Sequence, residues 1–298
     1  MRYLKISLFL SIFLFTIPLG LPCPRMPLSG ACSLHAYAAD VKGSNTQIIE
    51  IEKEGESVLG EDTTPAQAKA LALNNARRAA IEQAAGAIVH SSTVVYNYQL
   101  ISDLIKSSAR GVIVKEEILS DEIKKEGKQV VYFTKIRAYV KILENREKGE
   151  LKFLKANLIR YGTSPVGNSA TFQENDEIQI RARINKDAYI HIFGIGQNGI
   201  VAKIYPNEYF NGELLSAEAE FIFPNEKQRN AGFKLKVSLP KGLSRGVETI
   251  LIVASKEKKD FMSDKKATEV TVTDLMQELS DTASFLWTEE TIGYEVRR

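Results

Sequence analysis

The chain has 298 residues, 44% of them hydrophobic and 26% charged, ordinary globular proportions with room for about two domains. The formal net charge is +2, but Arg2, Lys5 and Arg25 lie in the first 38 residues, which hold no acidic residue; without them 36 basic residues face 37 acidic ones, a net charge of −1. No basic surplus remains to drive binding to nucleic acid or anionic lipid.

Arg2 and Lys5 precede an apolar run, 6–21, broken by Pro18 and Gly20. Ala36 and Ala38 then supply small residues where a signal peptidase reads them, before a cut between Ala38 and Ala39. A charged start, an apolar middle and a small-residue exit predict a secretory signal peptide over 1–38. The apolar run is short for a membrane span. Cys23 and Cys32 raise a lipoprotein alternative, but Ser29 stands where a lipobox before Cys32 wants an aliphatic residue, and Pro22 precedes Cys23. An outer-membrane lipoprotein therefore fits less well than a cleaved periplasmic or otherwise exported protein. Cleavage at Ala38 would leave no cysteine, which excludes a disulfide framework, a thiolate metal site and a cysteine nucleophile.

A first domain is expected over 46–144. Residues 48–51 read as a strand. Thr64-Pro65 starts a helix over 66–85, with Leu73, Ala76, Ala80 and Ala84 on one face, ending at Gly86. Lys69, Arg78 and Glu82 would face outward. A second helix is predicted over 99–108, then strands over 112–123 and 129–142. In the last strand Val130, Tyr132, Thr134, Ile136, Ala138, Val140 and Ile142 share one face. The order β-α-α-β-β predicts a small α+β unit with helices on one side of a sheet. Ala76-Arg77-Arg78-Ala79-Ala80-Ile81, Gly86, Ser91-Ser92-Thr93 and Ser107-Ser108-Ala109-Arg110-Gly111 together resemble the N-terminal domain of flagellar assembly protein T and related small envelope lipoproteins. The resemblance spans roughly 48–142. It implies a domain used in envelope assemblies and brings no active site.

The charged run 144–150 reads as a linker. Beyond it a second domain is expected over 151–298. Strands are predicted over 151–159 and over 177–184, where Ile178, Ile180, Ala182 and Ile184 point inward and Gln179, Arg181 and Arg183 outward. A hairpin over 188–205 follows, with Tyr189, His191 and Phe193 on one side and Ile190 and Ile192 on the other. Asn198-Gly199 suggests a type I′ turn. Further strands are expected over 214–223, 233–239 and 247–254. A helix over 274–285, capped by Thr273, and a last strand over 287–296 complete a β-sandwich with one helix before its final strand.

Asp176-Glu177-Ile178, Asn185-Lys186-Asp187-Ala188-Tyr189-Ile190, Gly199, Tyr205-Pro206-Asn207, Ala254-Ser255 and Trp287 resemble the family called domain of unknown function 4384, with coverage about 151–298. Tyr205 stands where that family has phenylalanine. The resemblance implies an accessory domain of exported or multidomain bacterial proteins, with no assigned activity.

Constellations for chemistry are weak. His35, His90 and His191 fall in three separate regions, so no convergent zinc set is expected; His191 reads as a residue on a half-exposed strand face. Gly194-x-Gly196-x-x-Gly199 has dinucleotide spacing but is followed by a β-rich run rather than a helix. The acidic pairs Glu61-Asp62, Glu116-Glu117 and Glu289-Glu290 read as solvated surface, because adjacent strand residues face opposite sides. Ser91, Ser92 and Thr93 beside His90 lack an identifiable acid or oxyanion hole. No cofactor, metal or catalytic set is expected. The one candidate interaction surface is the aromatic turn Tyr205, Pro206, Asn207, Tyr209 and Phe210.

The expectation is a non-catalytic envelope protein that binds other envelope proteins or a cell-wall component, with room for outer-membrane association. The alternatives are a periplasmic carboxylate-based hydrolase, which would need two carboxyl groups across one cleft, and a glycan-binding module using the aromatic turn.

Overall fold

The computed structural model describes residues 3–6, 47–60, 63–86, 97–108, 110–143, 149–163, 171–239, 242–263 and 270–298. The predicted cleavage pair Ala38 and Ala39, both cysteines, His35, His90, Ser91, Ser92, Thr93 and most of the predicted linker lie outside the described residues. The chain is β-rich, with four α-helices and one short 3-10 helix among the described residues.

Three strands, β2 (Ile48–Val58), β3 (Gly111–Glu126) and β4 (Gln129–Ile142), form an antiparallel sheet in the order β2-β4-β3. Gly127, with φ 62°, sits at the first position of the two-residue turn joining β3 to β4, as a type II′ hairpin requires. Two helices, α1 (Pro65–Ala84) and α2 (Asn97–Ser108), cover one face of this sheet. Thr64 caps α1: its hydroxyl accepts from Gln67 N–H while the Gln67 side chain accepts from Thr64 N–H, a capping box with Pro65 just inside it. The alanine stripe does what small side chains allow. Gly55 on β2 lies so close to α1 that a Cβ there would stand 2.2 Å from the Ala72 carbonyl and 2.3 Å from Ala76 N.

The remaining strands form two sheets. In the first, β5 (Phe153–Arg160) lies on one edge of β7 (Glu177–Ile184), and β11 (Glu220–Phe223) and β12 (Lys234–Val237) follow one another along the other edge. A short strand within the predicted leader, β1 (Tyr3–Ile6), runs parallel to β12. In the second, β8 (Ala188–Ile195) pairs with β13 (Arg245–Ser255), which pairs with β14 (Trp287–Arg297), which pairs in parallel with β6 (Thr171–Gln173); β9 (Val201–Tyr205) and β10 (Leu214–Leu215) line the free edge of β8. The helices α3 (Glu226–Asn230) and α4 (Val272–Ser280) complete the chain.

Two cores run through this arrangement. Ile190, Ile192, Ile250, Ile252 and Ile292 face the β5/β7/β12 sheet and close a β-sandwich around Ile178, Ile180, Leu235 and Val237. The opposite faces of β8 and β13, carrying Phe193, Ile195, Leu251 and Val253, pack on a helical layer that includes Ile101, Leu104 and Ile105 of α2 and Leu275, Met276 and Leu279 of α4. That layer carries the β2/β4/β3 sheet on its far side. From one side to the other the order is sheet, sheet, helices, sheet. Burial of both faces explains the unbroken apolar run Ile250–Ala254, which one-sided strands do not show.

Some local expectations change. The hairpin between β8 and β9 is present, but its turn is not type I′. Gly199 N–H donates to the Gly196 carbonyl at 2.9 Å, and Gly199 takes the positive φ, 76°, that Asn198 does not. This is a type I turn closed by a glycine bulge. The cap of α4 is Thr271, whose hydroxyl accepts from Asp274 N–H, rather than Thr273. Asp274 serves the box from its third position, a Thr-x-x-Asp signal present in the sequence.

Candidate functional site

The aromatic turn is built by Asn207. Its side-chain amide donates to the Ile204 carbonyl at 2.7 Å, and its Oδ1 accepts from the N–H groups of Tyr209 and Phe210 at 2.9 and 3.0 Å. The backbones of Asn207 and Phe210 bond each other in both directions. The preceding Tyr205-Pro206 bond is cis. Tyr205 is buried, and its hydroxyl donates to the Asn211 carbonyl at 3.1 Å. Its ring packs 5.2 Å from Phe221 and 5.1 Å from Phe223, while Phe210 stands edge-on to Phe233 at 4.7 Å. Burial pushes the Tyr205 hydroxyl above its ordinary value, so it remains protonated and a donor. Tyr205 and Phe210 thus close one end of the sandwich; Pro206 and Asn207 are half-buried, and Tyr209 is the one ring of the turn that stands out, 55% exposed.

The other signature positions of this half also act on the backbone around them. Asp176 Oδ2 accepts from Gln173 N–H at 2.7 Å and from Arg160. Asn185 accepts from Lys152 N–H and donates to the Glu150 carbonyl, both at 2.7 Å. Asp187 accepts from Ala217 N–H at 2.7 Å. Glu177 meets Arg229 at 2.6 Å and Lys234 at 2.8 Å; burial raises its carboxyl, but the two cations outweigh that and hold it below its ordinary value. The Arg229 guanidinium lies 3.2 Å over the Tyr161 ring. These side chains tie loops to strands. Residues 171–258 match the family model described as a domain of unknown function (DUF4384). The match covers β6 to β13 and is narrower than the 151–298 resemblance, leaving out β5, α4 and β14. It does not reach the N-terminal sheet and helices, and nothing in it supports the resemblance of that stretch to flagellar assembly protein T. No curated protein matches the chain.

His191 sits inside rather than on a half-exposed face. It is 2% exposed on β8, edge-on to Phe261 at 4.8 Å, and neither ring nitrogen has a hydrogen-bond partner among the described residues. Burial, then the nearby charge of Lys203, lowers its pKa to about 4, so it is neutral at pH 7. Phe261, beyond the end of β13, covers it, a contact that strand periodicity does not reveal. The glycines at 194, 196 and 199 form the hairpin and its turn, with no helix behind them.

The acidic pairs separate as strand geometry demands. Glu116 turns toward α1 and binds Arg77 through two hydrogen bonds, 2.9 and 2.5 Å, while Glu117 faces the opposite side and pairs with Lys115. Arg77 also donates to Asn74 Oδ1 at 3.1 Å. Asn74 lies under the tip of the β8–β9 hairpin, where a Cβ on Gly199 would be 2.8 Å from its Nδ2. Arg77 of the N-terminal motif is therefore part of the joint between helix α1, strand β3 and the sandwich. Glu289 and Glu290 sit on β14, and Glu61-Asp62 lies outside the described residues. Among the described residues no group of three or more histidine, cysteine or acidic side chains is placed to hold a metal, and no helix is long and apolar enough to cross a membrane.

One cluster was not anticipated. Ile118, Leu119 and Ile123 on β3 are 51%, 38% and 63% exposed. β3 is an edge strand. Strand periodicity over 112–123 does not reveal this exposure, because it marks a strand without showing whether its edge is covered.

Proposed function

We propose that the chain is an exported, non-catalytic cell-envelope protein that works by binding and assembly. The observation that carries this reading is the exposed apolar edge of the N-terminal sheet, Ile118, Leu119 and Ile123, borne on a layered body with a shared core. Exposed apolar side chains grouped on an open strand mark interaction surfaces. The leader pattern of residues 1–38 supports export, and the matched family domain carries no assigned activity. The fold built around that domain uses its polar signature residues to hold loops, which suits an adaptor. Binding to protein is preferred over binding to glycan because the aromatic turn presents a single exposed ring, Tyr209, rather than a platform.

The test is site-specific photo-cross-linking in intact cells from position 119, on the exposed edge, and from position 209, together with N-terminal sequencing of the purified protein. The reading expects a defined envelope adduct from position 119 and a first residue at Ala39. A protein that retains its leader in the cytoplasm and gives no adduct from either position overturns it.

A further inference from the structure

We propose that β3 is the seam of a two-fold symmetric dimer, pairing antiparallel with β3 of a second copy so that two three-stranded sheets become one of six strands. This rests on reading the exposed edge as a binding surface and names its partner.

The first argument is the free edge itself. In the order β2-β4-β3, β3 pairs with β4 on one side and with no strand on the other among the described residues. Its far half, from Asp121 to Glu126, is exposed throughout. Long open strands are templates for another chain; lysines and a bulge, which β3 carries, ordinarily blunt such an edge and leave it open only to a strand of matching charge and register.

The second argument selects a second copy over an unrelated strand. Lys115-Glu116-Glu117-Ile118 and Ile123-Lys124-Lys125-Glu126 are mirror images in charge. The register against β4 shifts between Ile118 and Ser120, so Leu119 is the extra residue of a bulge. With Leu119 set aside, a two-fold axis through Asp121 brings Ile118 opposite Ile123 of the second copy. Glu117 then meets Lys124, Glu116 meets Lys125 and Lys115 meets Glu126. Each pair also lies on one face. Ile118 and Ile123 stand opposite Ile136 and Tyr132 on the helix side, whereas Glu117 and Lys124 stand opposite Arg137 and Val131 on the outer side. Exposed isoleucines would thus cover one another, and every cation of the segment would face an anion.

The one like-charge encounter is Asp121 with its own copy on the axis. In each chain Asp121 is held by Lys69 at 2.8 Å and by the Thr134 hydroxyl at 2.8 Å, so its charge is already countered. Without the bulge the faces would not match across the axis, which gives the irregularity at Leu119 a purpose.

Sedimentation of the protein purified from cells tests this with two charge reversals. Wild type should sediment as a dimer at micromolar concentration. Glu117→Lys alone and Lys124→Glu alone should each weaken self-association about tenfold or more, because each places like charges at both symmetric positions. An equimolar mixture of the two single variants should recover dimer at wild-type affinity, since both positions then carry opposite charges. Unchanged thermal melting of each variant's monomer shows that the fold is intact. A wild type that stays monomeric overturns the dimer, as do single variants that associate like wild type or a mixture that fails to recover. A monomer that still cross-links to another envelope protein from position 119 removes the dimer alone and leaves the binding reading standing.

Discussion

The Tyr294 hydroxyl donates a 2.5 Å hydrogen bond to Glu248 Oε2 across the register pair that joins β14 to β13. Glu248 shares the strand face of Ile250 and Ile252, so its carboxyl enters the end of the sandwich while the residue keeps some exposure. Burial pushes it up to about 7, against the opposing pull of the Tyr294 bond. A folded-state value above the ordinary 4.5 means that the folded chain holds this proton more tightly than the unfolded chain. The stability this group contributes is fully present below about pH 4.5 and is lost as pH rises through about 7, by at most ~3 kcal/mol. Glu248→Gln removes the titration and keeps the shape. Urea unfolding should show the Gln variant gaining on wild type by about 2–3 kcal/mol between pH 5 and 8; a difference that does not change with pH would show that Glu248 titrates normally.

Gly55 is where helix α1 rests on the N-terminal sheet. A Cβ there would lie 2.2 Å from a backbone carbonyl, which no rotamer change can relieve. Gly55→Ala should therefore cost about 3 kcal/mol or more, beyond ordinary overpacking. Gly86→Ala provides a contrast: its φ is 62° but nothing lies near its missing Cβ, so its cost is the local backbone strain, about 1 kcal/mol. Thermal or denaturant unfolding of both variants measures the difference.

Local rules made the inward face of β7 legible, because Ile178, Ile180, Ala182 and Ile184 alternate with polar residues and all four are buried. They made the start of α1 legible through Thr64, Pro65 and Gln67. They could not show that β8 is covered on both sides. His191 and Phe193 share a face that a one-sheet reading leaves half open, and the cover arrives from α2, α4 and Phe261, far away in sequence. Glu248 is a different kind of miss. Its place among Ile250 and Ile252 was readable from strict alternation, but a carboxylate in a strand is ordinarily assigned to solvent. The aromatic turn was legible as a cluster and not as a direction: only the positions of β11 and β12 decide that Tyr205 and Phe210 turn inward while Tyr209 turns out.

Asn207 and Tyr209 separate structure from surface within that turn. Asn207→Ala removes three side-chain hydrogen bonds to half-buried backbone and should destabilise by about 2 kcal/mol. Tyr209→Ala removes an exposed ring and should change stability by less than about 0.5 kcal/mol. Denaturant midpoints report both. If Tyr209 proves as costly as Asn207, the ring is part of the packing and the turn offers no exposed aromatic contact.

His191 opposes Glu248. Its folded-state pKa of about 4 lies below the ordinary 6.5, so here the unfolded chain binds the extra proton. The stability it contributes is present above about pH 6.5 and is lost as pH falls through about 4. Burial is the larger cause and Lys203 the smaller; Asp260, which pairs with Lys203, works the other way. The windows of the two groups overlap and their slopes have opposite signs, so wild type should be nearly level between about pH 4.5 and 6.5 as far as these two groups go. Each single variant then uncovers the other residue. Glu248→Gln should lose stability toward acid, and His191→Leu should lose it toward alkali, each by about 2–3 kcal/mol across its window. The double variant should be level again, because the groups lie on opposite faces of the central sheet and their effects should add. Unfolding free energies of the four proteins across that range check all three statements, and a sloped double variant would mean that a third group titrates with the fold.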